Sequence, residues 1–347
     1  MAHKEKMIKK ENSENRRDLL CRLPVLWGIL SLIFLCWSTT APAKSGDPLK
    51  PAVSEKVSQK KILKKHYIKK NKPVSQGVQA KAFYCVNPSK NETLMERNPD
   101  QSMPVASLTK LVTALVVLDH MRLDRKVTVP DHIKTIPKSV VGLKPGDNVS
   151  VEDLLHGLLI GSGNDCAETL ACAFTGGKQK FVESMNKKVS SLGNQRTFFF
   201  TPSGLDRKNG NEQECKNSGD VDFNVSTARE MAQIARIAFS NKTIRSISLK
   251  KSHIIASNMN KTGYHVKTTN KLLRDNLPLI GGKTGYTSRA GHCLASEFIS
   301  GHDIVLIVVL GSPDHFRDTR LVYRTALKKT KAATSPQAPG SKRVAAN

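Results

Sequence analysis

Residues 104–120 read PVASLTKLVTALVVLDH, an apolar helical run that opens with Ser107 and, three positions later, Lys110. This spacing places both side chains on one face of the first helical turn. A lysine amine can take the proton of a serine hydroxyl only when its own pKa is depressed. Burial against the apolar face and the positive end of the helix dipole both depress it. The stretch therefore predicts a nucleophilic serine with a lysine base at the start of a buried helix.

The Ser-x-x-Lys pattern alone is a weak indication, because this lysine-rich chain repeats it at Ser58/Lys61, Ser184/Lys187 and Ser248/Lys251. Two further motifs distinguish Ser107. Ser162-Gly163-Asn164 follows the helical run VEDLLHGLLI, and Lys283-Thr284-Gly285 continues the apolar run LPLIGG into a strand-like segment. These three motifs together are the set found in penicillin-binding proteins and β-lactamases.

Lys-Thr-Gly occurs twice, at 261–263 and at 283–285. The first copy falls where a hairpin turn is needed between two strand-like segments, so its glycine has an ordinary structural use. The second copy continues an apolar strand, which fixes the directions of alternate side chains beside a site. The pattern therefore favours Lys283 over Lys261 as the active-site lysine.

Strand-like segments flank a largely helical middle within residues 80–331. They begin with AKAFYCVNP and ETLMERN and end with PLIGGKTGY, AGHCLASEF and DIVLIVVLG. Helices are predicted at 107–121, 151–160, 165–174, 178–192, 227–239 and 315–328, with Ser226 capping the fifth. This order predicts one α/β domain whose sheet is completed by both ends of the chain.

The motifs and the blocks around them, which include VGLKPGDNVSVEDLLHGLLIGSGNDCAETLA, PSGLD and GGKTGYTSRAGHCLA, resemble one known family. From Ala80 to about Leu327 the chain is similar to the low-molecular-mass penicillin-binding proteins of the D-alanyl-D-alanine carboxypeptidase family. The resemblance implies a β-lactamase/transpeptidase-like α/β fold, with an antiparallel sheet and a helical subdomain. It implies peptidoglycan stem peptides as substrates, β-lactams as covalent inhibitors, and no metal or organic cofactor.

The same resemblance implies individual roles. Ser107 would be the nucleophile and Lys110 the general base, with Ser162 and Asn164 as a proton-relay and substrate-holding pair. Lys283, Thr284 and Gly285 would bind the substrate backbone and carboxylate, and the N–H groups of Ser107 and Tyr286 would form the oxyanion hole. Some members carry an arginine where this sequence has Thr269, so less help is expected in holding the carboxylate.

Three alternatives to a D,D-carboxypeptidase stay open on the sequence. A D,D-endopeptidase would use the same motifs, although glycine at position 163 resembles the carboxypeptidase branch. A β-lactamase needs a glutamate for deacylation, and no Glu-x-x-Leu-Asn segment lies between Asn164 and Lys283. A non-catalytic wall-binding protein would have no need of the intact Ser107, Lys110 and Lys283.

The first 43 residues have the layout of a signal peptide. Basic segments precede the apolar run 23–37, and Ala41-Pro42-Ala43 suits cleavage after Ala43. A retained membrane anchor is the alternative. The pattern predicts export to the periplasm or the cell exterior.

Residues 44–79 contain ten lysines and two acidic residues, which predicts a disordered tether; residues 332–347 are predicted to be a disordered tail. The net charge of +26 favours an anionic partner. Export excludes nucleic acid and leaves anionic membrane or wall polymer, unless the tether is a plain spacer. Five cysteines follow residue 43, so a disulfide is compatible with the sequence but its pairing is open, and no zinc-binding spacing occurs.

Overall fold

The computed structural model describes residues 77–137, 139–206 and 223–334. The strands, in chain order, are β1 Ala82–Asn87, β2 Glu92–Arg97, β3 Met103–Pro104, β4 Lys126–Thr128, β5 Asn148–Ser150, β6 Val225–Ser226, β7 Ser252–Ile255, β8 Tyr264–Lys267, β9 Leu279–Thr287, β10 Gly291–Ser300 and β11 Asp303–Ser312. The main sheet has the order β2-β1-β11-β10-β9, and all its pairs are antiparallel. The first strand thus pairs with the last, which confirms the predicted sheet.

The helices between and after these strands are α1 Lys110–His120, α2 Val151–Ile160, α3 Asn164–Cys172, α4 Gly177–Ser191, α5 Ala228–Ser240, α6 Lys242–Ser248 and α7 His315–Thr334. Helix α1 is buried from Lys110 to Val117, as its apolar composition predicts. Helices α1 to α6 and the inner face of the sheet share one hydrophobic core. A second core lies between the other face and α7. This two-sided burial explains why β11 is an unbroken apolar run.

Several local predictions differ from the structure. The cap of α5 is Thr227, whose side chain accepts from the Glu230 N–H, and not Ser226. Helix α6 was not predicted, because it has only seven residues. Helix α7 continues to Thr334, beyond the predicted end at 328.

The folded region begins before Ala80. Val78 is buried in the second core, between the sheet and α7, and the Gln79 N–H donates to the Asp318 carboxylate. The predicted signal peptide and nearly all of the predicted tether lie outside the described residues, as does the tail after Thr334. Across the described part of the chain, no helix combines the length and apolarity that a membrane span requires.

Candidate active site

Ser107 lies in a short 3-10 helix, Ala106–Thr109, that leads directly into α1. Ala106 has a φ of +46°, a left-handed conformation that alanine rarely adopts. A Cβ placed on Gly204 would lie 2.0 Å from the Ala106 carbonyl oxygen, so only glycine fits against this turn. Strained backbone of this kind persists where surrounding structure enforces it, and it is concentrated at functional sites.

Lys110 is fully buried, and its Nζ lies within hydrogen-bond distance of three oxygens. These are Ser107 Oγ at 2.8 Å, Asn164 Oδ1 at 2.8 Å and the Ser203 carbonyl at 2.7 Å. The two carbonyl-type oxygens can only accept, so a neutral amine must give them its two N–H bonds. Its lone pair is then left facing the Ser107 hydroxyl, which can donate to it.

The electrostatic surroundings favour that neutral amine. Burial lowers the pKa of Lys110 well below its usual value, and the positive charge of Lys283 lowers it further. Burial also lowers the pKa of Lys283, to about 7. Burial and the neighbouring Lys283 charge therefore favour a neutral Lys110, which can act as a base near neutral pH.

Ser162 joins Lys283 to this centre from the helical side. Lys283 Nζ donates to Ser162 Oγ at 2.8 Å and to the Thr284 carbonyl at 3.0 Å. Ser162 has a φ of +59°, a second left-handed non-glycine residue in the site. Asn164 begins α3 two residues later, so one tight turn supplies partners to both buried lysines.

Strand β9 forms the opposite wall. A Cβ on Gly285 would lie 3.0 Å from the Ser107 nitrogen and 3.2 Å from the Val105 carbonyl oxygen, which shows how closely the two backbones approach. Thr284 Oγ1 lies 2.5 Å from Thr269 Oγ1, so Thr269 holds the hydroxyl of Thr284. Tyr286 follows and is 58% exposed.

These walls enclose a pocket of about 780 Å³. Its lining includes Ser107, Ser162, Asn164, Thr284, Gly285 and Tyr286, whereas Lys110 and Lys283 lie buried behind it. The structure thus brings together all eight residues selected from the sequence. The other Lys-Thr-Gly, at 261–263, is the exposed turn between β7 and β8, where Gly263 has a φ of +67°.

Sequence reasoning missed the contribution of Ser203, because it is made by a backbone carbonyl and no side chain marks it. The block PSGLD was selected only as part of the resemblance. Gly204 within it provides the one usable indication, since a glycine can allow a close approach of two backbones.

The chain is similar to proteins of one known family. The model of the D-alanyl-D-alanine carboxypeptidase family matches residues 68–314. The D-alanyl-D-alanine carboxypeptidase DacF of Bacillus subtilis is 27% identical over 239 residues, which cover 67% of this chain and 58% of that protein. The D-alanyl-D-alanine endopeptidase of Escherichia coli is 31% identical over 254 residues, which cover 72% and 77%. The chain therefore spans little more than half of the Bacillus relative.

Solved structures show the same fold. A D-alanyl-D-alanine carboxypeptidase from Mycobacterium tuberculosis superposes with a TM-score of 0.65 at 28% identity, covering 78% of this chain and 96% of that one. Penicillin-binding protein D2 from Listeria monocytogenes, in its ampicillin-bound form, gives 0.60 at 27% identity, covering 74% and 99%.

Proposed function

Because the chain belongs to the D-alanyl-D-alanine carboxypeptidase family of serine peptidases, we propose that it removes the terminal D-alanine from peptidoglycan stem peptides through an acyl-enzyme on Ser107. The observation that carries the proposal is the contact set of Lys110. Two fixed carbonyl-type acceptors, on Asn164 and Ser203, direct the lysine lone pair to the Ser107 hydroxyl.

In the proposed acylation step, Lys110 takes the Ser107 proton as Oγ bonds to the carbonyl carbon of the penultimate D-alanine. The carbonyl electron pair moves to oxygen, where the N–H groups of Ser107 and Tyr286 donate to it. One such donor typically contributes about 10²–10³ in rate. When the tetrahedral intermediate collapses, the C–N bond breaks and the departing D-alanine nitrogen takes the proton held by Lys110, with Ser162 as the relay, so that Lys110 is neutral again.

Deacylation completes the proposed cycle. Water attacks the ester carbonyl and gives a proton to Lys110, and the Ser107 oxygen leaves and recovers a proton from it. The products are free D-alanine and the shortened peptide. Lys110 and Ser162 carry every proton between the water, the substrate and Ser107 in the scheme.

Selection for a chain end is assigned to Lys283 and Thr284. A terminal carboxylate beside the Thr284 hydroxyl would receive a charge-assisted hydrogen bond, and the buried Lys283 ammonium would add Coulomb attraction. Thr269, already bonded to Thr284, orients that hydroxyl. The site also suits β-lactams as covalent inhibitors, because they present a carboxylate and a reactive carbonyl to the same groups.

The test compares two substrates with the purified protein. We expect faster release of D-alanine from a pentapeptide ending in D-Ala-D-Ala than cleavage of cross-linked dimers. The endopeptidase name of the Escherichia coli relative makes the second activity the competing candidate. Dimer cleavage that clearly outruns D-alanine release would establish the endopeptidase function instead.

The two Lys-Thr-Gly copies offer a matched pair of variants. Lys283→Ala is expected to lower kcat/KM for D-alanine release by about 10²-fold or more, because a charged partner of the substrate carboxylate is lost. Lys261→Ala, in the exposed turn, is expected to keep activity within about twofold. Initial rates of D-alanine release measure both. The reverse result would assign the motif to residues 261–263.

We further propose that the protein acts at the cell wall after export, with cleavage following Ala43 and residues 44–79 adhering to anionic wall polymer or membrane. Ten lysines support this adhesion, which salt would weaken by screening. N-terminal sequencing is expected to start at Lys44, and binding to isolated walls is expected to fall between low and high salt. Binding that is unchanged by salt, or by deletion of residues 44–79, would make the segment a plain spacer.

A further inference from the structure

Two groups of potential metal ligands occur within residues 77–334 as described. The rim cluster consists of His132, Glu168 and Cys172, and the inner cluster consists of Asp153, His156 and His253. In each group the ligand atoms lie within 4.8 Å of one another. The sequence shows neither as a motif, because the members of each come from distant segments.

The inner cluster is already saturated by hydrogen bonds. His156 Nδ1 donates to the Glu152 carbonyl at 2.9 Å, and its Nε2 accepts from the Lys250 ammonium at 2.8 Å. His253 Nε2 lies 2.7 Å from an Asp153 carboxylate oxygen. The two imidazole rings are stacked, with their centroids 3.9 Å apart and an angle of 19° between their planes. Their nitrogen lone pairs therefore lie in nearly parallel planes and do not converge on one ion.

The rim cluster converges. His132 Nε2 lies 3.3 Å from Glu168 Oε1 and 4.0 Å from Cys172 Sγ. A tetrahedral zinc ion with ordinary bond lengths would hold nitrogen and oxygen about 3.3 Å apart, and nitrogen and sulfur about 3.6 Å apart. The Glu168 oxygen and the Cys172 sulfur lie within 4.8 Å of each other, so side-chain shifts of up to about 1 Å would complete three bonds and leave a fourth position for water.

The chemistry of the donors selects the metal. One thiolate, one imidazole and one carboxylate form a borderline-soft set that suits zinc, whereas magnesium and calcium prefer oxygen ligands alone. The site is reachable, because half of the His132 side chain area is exposed while the Glu168 carboxylate is 5% exposed. Binding would release the Cys172 thiol proton to solvent as the metal–sulfur bond forms.

The neighbouring Lys178 would compete with a metal ion for the Glu168 carboxylate. Its Nζ lies 2.5 Å from Glu168 Oε1, the same oxygen that faces His132, and 46% of its side chain area is exposed. The carboxylate thus already attracts a cation. An arriving metal would displace an ammonium that can move out into water.

We propose that the rim cluster binds zinc through His132 Nε2, a Glu168 carboxylate oxygen and the Cys172 thiolate. The site is independent of the peptidase chemistry, although it borders the same pocket: Glu168 and Lys178 are both among its lining residues. His132 belongs to the 3-10 helix Asp131–Thr135. The end of this helix and the residues that follow it form part of the pocket wall.

Zinc would therefore tie that wall to α3, the helix that begins at Asn164. Two contacts already join them: the Asn164 side chain amide donates to the Pro137 carbonyl, and its backbone N–H donates to the Ser139 carbonyl. A metal bridge farther along α3 would add a third and firmer connection. We expect it to raise the melting temperature by about 5 °C when free zinc is a hundredfold above Kd.

The test titrates the full tag-free chain with zinc chloride by calorimetry. Wild-type protein is expected to bind one zinc ion. The Cys172→Ser and His132→Gln substitutions are each expected to lower the affinity for zinc at least about tenfold. His253→Gln, in the inner cluster, is the matched control and is expected to leave affinity unchanged. Lys178→Met is expected to tighten binding several-fold, because the competing ammonium is gone.

Cobalt supplies a direct readout of the thiolate. Cobalt-loaded wild-type protein is expected to show a thiolate-to-cobalt charge-transfer band in the near ultraviolet that Cys172→Ser lacks. The proposal is overturned if the wild type binds no more zinc than the His132→Gln variant, or if His253→Gln removes the bound ion. None of these measurements depends on peptidase activity, so failure of one proposal leaves the other intact.

Discussion

Replacing Ser107 with alanine is expected to abolish covalent labelling by a fluorescent penicillin and to lower D-alanine release by at least about 10⁴-fold. The alanine lacks the oxygen that forms the acyl bond, while the pocket and the buried lysines stay in place. A gel of the labelled protein and a D-alanine assay measure the two effects. Labelling that survives in this variant would place the nucleophile elsewhere.

The chain provides its own control for the Ser107 experiment. Ser184 and Lys187 repeat the Ser-x-x-Lys pattern on α4, where the Ser184 hydroxyl donates to the Lys180 carbonyl at the surface. Ser184→Ala is expected to be labelled like the wild type. Ser107→Ala should melt within about 4 °C of the wild type, because the substitution removes one hydrogen bond of a partly buried side chain.

The second large effect is expected for Lys110→Met, which should lower the rate of acylation by about 10²–10⁴-fold. Methionine fills a similar volume but cannot accept the Ser107 proton. Stopped-flow measurement of penicillin acylation gives the rate directly. The exposed Lys187→Met is the matched control and is expected to acylate at the wild-type rate.

The pH profile separates loss of a base from damage to the fold. In the wild type, acylation should fall as pH decreases through the pKa of Lys110, because protonation removes the lone pair that accepts the serine proton. Lys110→Met should lose this acid limb along with its rate. A variant that kept the acid limb would show that another group, and not Lys110, is the base.

Side chains at short, regular spacing were predictable from the sequence. Ser107 and Lys110 share a helical turn, and Lys283 to Tyr286 follow one another along a strand, so local patterns were enough to select them. The strand that carries Lys283 was also distinguishable from the turn at 261–263, because the former continues an apolar run whereas the latter falls where a hairpin turn is needed.

Features set by long-range packing were not predictable. The Ser203 carbonyl acts through a backbone atom, and its partner Lys110 is remote in sequence. The pairing of His132 with Glu168 and Cys172 depends on how a loop meets a helix. Helix α5 is capped by Thr227, one residue after the predicted Ser226. The Ser226 hydroxyl forms a hydrogen bond with the Thr197 hydroxyl instead.

The pairing of β1 with β11 also governs how the protein is made. Ala82 pairs with Leu310, so the edge of β1 that faces away from β2 stays unpaired until nearly the whole domain has been synthesised. Contacts between such distant segments slow folding, and an open strand edge can pair with other chains meanwhile. Strand β9, the wall beside Ser107, joins the sheet through β10 and so is also placed late. We therefore expect a nascent chain to need protection from aggregation and to acquire its active site only after the last strand has docked.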